Sequence, residues 1–113
     1  MTRKTKIITI ETGRDAGKKF EITEPDAFTG EDIFLKLMSL CSVTGKVDQM
    51  VKQLTTTDEG RSVWKSLINL VKIIPSENSS LTRSIDKQDI EDFNTLIKLR
   101  TEALTLIMDF IQE

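Results

Sequence analysis

With 113 residues, 38% of them hydrophobic and 30% charged, the chain has material for one ordinary folded domain and too little for two. A formal net charge of −2 lacks the basic excess of a general polyanion binder, and a single cysteine, Cys41, excludes an internal disulfide. There is no histidine and no tyrosine, so the commonest general acid/base is missing, and a zinc site of sulfur and nitrogen ligands cannot be assembled within one chain.

These absences set the expectation of a protein that is not an enzyme and uses no cofactor and no metal. No stretch approaches the roughly 20 apolar residues of a membrane span. The basic start "MTRKTKIITIE" has no apolar core of the kind a secretory signal carries, so a cytoplasmic location is expected.

Along the chain, "KIITIE" (6–11) alternates as a strand does, with Ile8 and Ile10 on one face and Ile7 and Thr9 on the other. "KFEIT" (19–23) puts Phe20 and Ile22 on one face, and the polar, glycine-bearing "TGRDAG" between the two runs predicts an antiparallel hairpin. A lone hairpin is marginal in water, so it must rest on the remainder of the chain. "EPDAFTGED" reads as a connector, with Thr29 or Asp32 as cap of a helix "EDIFLKLMSLCS" whose apolar stripe is Ile33, Phe34, Leu37, Met38 and Cys41. Gly45 is the expected stop.

A short helix in "KVDQMVKQL" carries Val47, Met50, Val51 and Leu54 on one face. Asp58 is the candidate cap of a further helix, "EGRSVWKSLINLVKII", in which Val63, Trp64, Leu67, Ile68, Val71 and Ile74 form a continuous stripe up to Pro75. After the polar loop "PSENSSLTRS", Asp86 is the expected N-cap of the last helix, with Ile85 and Ile90 at the spacing of a hydrophobic staple. One face of that helix carries Ile90, Phe93, Ile97, Leu104, Ile107 and Ile111, and an adjacent face Leu96, Leu99, Ala103, Leu106 and Phe110. Two apolar faces mean that the helix is central in the fold or that another chain covers it. The predicted architecture is one α+β domain over 1–113, mostly α: a β-hairpin over 1–24, then about four helices over 29–113.

The stretch closest to a chemical motif is "ETGRDAGKKFEIT" (11–23). A phosphate-binding P-loop needs four residues between its glycines, then Lys and a hydroxyl residue opening a helix. Here three residues separate Gly13 from Gly17, Lys19 stands where the hydroxyl belongs, and a strand pattern follows. A wide turn at Gly13, Arg14, Asp15 and Gly17, with glycine supplying positive φ, explains the stretch better.

The same residues carry a resemblance. Gly13, Arg14, Asp15, Ala16, Gly17 and Lys18, followed by Phe20, Ile22, Thr23, Glu24 and Pro25, resemble the N-terminal hairpin of tail assembly chaperones from long-tailed bacteriophages. The likeness covers about the first quarter of the chain. It implies a non-enzymatic protein that binds the helical tape measure protein, keeps it soluble and helps tail tube subunits assemble round it in the host cytoplasm. It also implies self-association into a homo-oligomer, and a family habit of two product lengths related by a frameshift.

On that reading, client and self-contacts use the apolar faces of 31–41, 62–74 and 90–111. The candidate protein-binding residues are Phe34, Met38, Met50, Trp64, Phe93, Leu96, Leu99, Leu106, Met108 and Phe110, with Gly13, Arg14, Asp15 and Gly17 as the structural turn; for Trp64, Met38, Met50 and Met108 ordinary core packing is the stronger alternative. Cys41 is expected to be a small packing residue. Charge is uneven: residues 1–19 hold six basic against two acidic side chains, a net of +4, while residues 86–113 hold three basic against seven acidic, a net of −4. That is either a head-to-tail subunit contact or an ordinary solvated surface. The carboxylates of "DKQDIED" lack the glycine and final glutamate of a calcium loop and suit helix capping. The alternative function is a small helical adaptor or regulator that binds one defined protein partner or nucleic acid; few aromatic residues argue against nucleic acid.

Overall fold

The computed structural model describes residues 5–41, 46–75 and 82–111, without the side chains of the last two of these, Phe110 and Ile111. The hairpin forms as its alternation dictates. Strands β1 (Thr5–Thr9) and β2 (Lys19–Thr23) pair antiparallel, with Ile8 opposite Phe20 and Lys6 opposite Ile22. Ile8, Ile10, Phe20 and Ile22 are buried, while Ile7 stays exposed on the other face.

Helix α1 (Ala27–Leu40) begins earlier than the sequence suggests. Asp26, not Thr29 or Asp32, is its N-cap, and its carboxylate accepts from the Thr29 backbone N–H at 2.8 Å. Pro25 holds the preceding backbone extended, so the first short acceptor after it takes the cap. The proposed stop at Gly45 lies outside the described residues; α1 ends at Leu40, with the Cys41 N–H donating to the Leu37 carbonyl. Helix α2 (Val47–Leu54) buries Met50 and Leu54, as its stripe requires. Helix α3 (Asp58–Ser66) is capped by Thr57 rather than Asp58, with the Gly60 N–H donating to the Thr57 hydroxyl at 3.0 Å.

The continuous helix expected up to Pro75 does not form. After a 3-10 turn at Leu67–Leu70 the chain becomes strand β3 (Val71–Ile74), paired antiparallel with β2 so that Phe20 faces Ile73 and Ile22 faces Val71. Apolar spacing alone does not separate a short buried strand from a helix end. Here β-branched Val71, Ile73 and Ile74, and the bias of the residue before Pro75 against helix, decide for the strand, which also covers an otherwise open edge of β2. Strand β4 (Arg83–Ser84) pairs with β3, completing a four-stranded antiparallel sheet in the order β1-β2-β3-β4.

The last helix also starts late. Asp86 caps only a 3-10 turn at Lys87–Asp89, in a reciprocal box with Asp89, and Ile90 is extended; α4 runs Phe93–Ile111. It packs against β2, α2 and the 67–70 turn, and buries Leu99, Ala103, Leu104, Leu106, Ile107 and Met108. The fold is thus α+β and mostly α, a hairpin followed by four α-helices, with two further strands added from the middle of the chain. No described helix is long and apolar enough to cross a membrane.

Candidate functional site

The hairpin turn is a clasp. Gly13 and Gly17 have φ of 86° and 90°, the left-handed region that only glycine enters freely. Gly17 N–H donates to the Ile10 carbonyl at 2.7 Å, and Ile10 N–H to the Lys18 carbonyl at 2.9 Å, which closes the loop. That geometry turns Asp15 inward, where it is completely buried. Its carboxylate accepts the backbone N–H groups of Glu91, at 3.0 Å, and Asp92, at 2.9 Å, just ahead of α4.

Lys18 Nζ donates to Asp15 Oδ1 and to the Asp89 carbonyl, both at 2.9 Å. A side chain at Gly13 would meet the Asp92 carboxylate, with a Cβ at 2.6 Å from Oδ2. Burial by itself would raise the pKa of Asp15; the N–H groups of Glu91 and Asp92, with Lys18 and Thr95, outweigh it and hold the carboxyl well below the usual carboxylate range. The loop leads into β2 and opens no helix of its own, and the N–H groups ahead of α4 that it meets are taken by Asp15. Arg14, the remaining residue of the turn, is exposed.

Ion pairs within the chain account for part of the uneven charge. Lys6 pairs with Glu102 on α4, which joins opposite charges from the two ends of the chain, while Lys18 pairs with Asp15 inside the turn itself. Arg83 grips Asp89 through two nitrogens at 2.7 Å each, and this hydrogen-bonded pairing lowers the Asp89 pKa.

The ten candidate binding residues divide. Met50, Trp64, Leu99, Leu106 and Met108 are in the core and serve packing, the alternative that stood for Met50, Trp64 and Met108 and a correction to Leu99 and Leu106 as contact residues. Each lies on a helix flank that faces other elements of the same chain. Phe34 and Leu96 are half-buried, and Met38 and Phe93 are exposed, at 55% and 71%. The side chain of Phe110 lies outside the described residues. Cys41 is half-buried; burial raises its thiol pKa, and Sγ donates to the Leu37 carbonyl at 3.3 Å, which suits a packing role.

Sequence reasoning missed Phe28, at 90% the most exposed large apolar side chain among the described residues. It lay in a stretch read as connector. Once Asp26 is the cap, Phe28, Leu35 and Met38 fall at i, i+7 and i+10 and share one face of α1, which buries only Gly30 and Leu37. The signal was available in Asp26-x-x-Thr29 directly after Pro25.

A separate groove of about 620 Å³ is walled by Val71, Ile85, Ile90, Phe93, Leu96 and Arg100. Arg100 donates from Nη2 to the Lys65 carbonyl at a long 3.4 Å, and its Nε is buried with no hydrogen-bond partner among the described residues. Burial lowers the pKa of this guanidinium. Among the described residues, no three side chains of metal-ligating type come together. Comparison with protein-family models, with curated proteins and with solved structures returns no match.

Proposed function

We propose that this chain is a non-enzymatic tail assembly chaperone of the long-tailed bacteriophage kind, acting in the host cytoplasm on a tape measure protein and aiding assembly of tail tube subunits. The observation that carries the reading is the outer face of α1. Phe28, Leu35 and Met38 stand exposed on one side of a helix that the rest of the fold leaves open, with Glu31 and Asp32 between the first two. Large apolar side chains in line on a surface mark a place where other polypeptides bind. The Gly13–Lys18 turn supplies the family likeness, and its clasp fixes the hairpin from which α1 departs.

The mechanism is mass action. A client helix docked on α1 is withdrawn from aggregation until tube subunits take over its apolar surface. The flexible thioether of Met38, one turn beyond Leu35, suits a face that must accept many client segments in turn. Copies of this chain can meet through the same face, which makes homo-oligomer and client complex competing states.

Co-expression with a tape measure fragment tests the proposal. The wild-type chain is expected to raise the soluble yield of the fragment and to co-purify with it. Phe28→Ser with Leu35→Asp is expected to lose both effects while retaining a native circular dichroism spectrum. An unchanged fragment yield with the wild-type chain removes the proposal. The adaptor reading draws on the bounded groove instead, and predicts one copy per partner where the chaperone predicts several along one client.

A further inference from the structure

The four-stranded sheet has two edges, and they are protected unequally. One edge, β4, is two residues long, and its Arg83 is held by Asp89. The other, β1, runs for five residues without proline or glycine, and among the described residues only β2 pairs with it. Ladder alternation fixes which of its backbone groups are open. Ile10 N–H donates to the Lys18 carbonyl and Gly17 N–H to the Ile10 carbonyl, so Ile10 turns its backbone groups toward β2, as do Ile8 and Lys6. Thr5, Ile7 and Thr9 turn theirs outward, where no described residue bonds them.

Sheet edges are ordinarily blunted by charge, proline, a bulge or a covering segment. The charge on β1, Lys6, lies on the helix side of the sheet and is neutralised by Glu102 of α4. The opposite side is uncharged along the whole strand. Its side chains, the same Thr5, Ile7 and Thr9, are all exposed, Ile7 at 53%.

The order of these residues selects what fits. They read Thr-x-Ile-x-Thr, the same in both directions. Laid antiparallel on a second copy about a two-fold axis at Ile7, the strand sets Ile7 against Ile7 and each Thr5 against a Thr9. All of these are positions with outward backbone groups, so each residue exchanges N–H···O=C bonds with its opposite. β-Branched side chains facing one another across strands, and threonine pairs, favour such a junction. No like charges meet on that side: Glu21 and Lys19 stand one strand back, on β2. A slip of one residue would set outward groups against inward ones, and a slip of two would oppose Ile7 to Thr5 and leave Thr9 over. The edge is thus complementary to itself, as an isologous contact requires.

We infer that two copies of this chain pair antiparallel along β1, centred on Ile7, and join their sheets into one. The contact uses no residue of α1, so it adds to client binding a self-contact that does not compete with it.

Sedimentation of the full chain over a concentration series tests the pairing. The wild-type chain is expected to pass from monomer to dimer as concentration rises. Ile7→Lys and Ile7→Glu, at an exposed position, each set like charges against one another across the axis and are expected to weaken the dimer about tenfold or more. An equal mixture of the two is expected to restore it as a heterodimer. Ile7→Pro removes an outward N–H, leaves the ladder to β2 intact, and is expected to abolish pairing; it makes the test should a charged chain fail to fold. Amide exchange at Thr5, Ile7 and Thr9 is expected to slow as the dimer forms.

A monomer at every concentration, a dimer that persists in Ile7→Lys and Ile7→Pro, or a mixture of the charged chains that stays monomeric overturns the inference. So does a dimer lost only in Phe28→Ser with Leu35→Asp, which would move the self-contact to α1. Ile7→Pro is expected to solubilise a tape measure fragment as the wild type does, so failure of either reading leaves the other standing.

Discussion

Helices α1 and α4 are built from similar material and meet opposite fates. Over 14 residues α1 buries only Gly30 and Leu37, and leaves Phe28, Leu35 and Met38 in solvent. Over 19 residues α4 buries Thr95, Leu99, Ala103, Leu104, Leu106, Ile107 and Met108. The difference lies in what each helix meets. α4 has the sheet at β2, helix α2 and the 67–70 turn round it, whereas α1 packs on α2 and α3. An apolar stripe therefore shows that a helix has something to bury and is no guide to which flank is covered. The open flank of the less covered helix is where binding is proposed.

Four measurements break or sharpen this contrast. The largest effect belongs to the fully covered region: Leu104→Ala and Phe20→Ala, each at a site with no exposure, are expected to lower stability by about 3–5 kcal/mol in denaturant titrations. A loss under about 1 kcal/mol at Leu104 or at Phe20 would show that α4 or β2, respectively, does not hold the core described above. Next comes the clasp. Asp15→Ala strands the Glu91 and Asp92 N–H groups and leaves Lys18 without its acid, and is expected to cost about 3 kcal/mol.

A smaller effect is expected with pH. The folded-state pKa of Asp15 lies below that of the unfolded chain, so its contribution is complete above about pH 4 and is lost as pH falls further. Below about pH 4, wild-type stability is expected to fall by up to about 1.4 kcal/mol per pH unit more than that of Asp15→Asn, read from urea midpoints at each pH. Parallel slopes for the two chains would place the carboxyl outside the clasp. Asp89 changes in the same direction in both chains and cancels. The smallest effect belongs to the open helix: Phe28→Ala, at 90% exposure, is expected to move stability by less than about 0.5 kcal/mol. A large loss there would mean that α1 is covered after all.

What could be read from the sequence follows the range of the interactions. The hairpin, its buried faces and the two left-handed glycines were legible because alternation and turn chemistry are local. Four helices were legible from their stripes, with starts displaced by one to several residues wherever two capping side chains competed, as Asp26 did with Thr29 and Asp32. β3 was not legible, since Val71 and Ile74 suit both a helical stripe and a strand, and only the open edge of β2 selects between them. The inward role of Asp15 was hidden for the same reason: its donors lie 76 and 77 positions further along. Five candidate contact residues proved to be core because a stripe shows that a helix has an apolar side, while burial depends on elements that sequence spacing does not place.

The reach of that clasp bears on how the chain is made. On the ribosome, Asp15 emerges long before Glu91 and Asp92, so the nascent hairpin carries an acid whose docking partners have not been synthesised. Closing a loop of that span costs roughly 4 kcal/mol of chain entropy, which the hairpin cannot offset alone. Maturation of the N-terminal region is therefore expected to wait for the ribosome to deliver the start of the last helix, leaving the emerging polypeptide dependent on the cell's own holding factors until then.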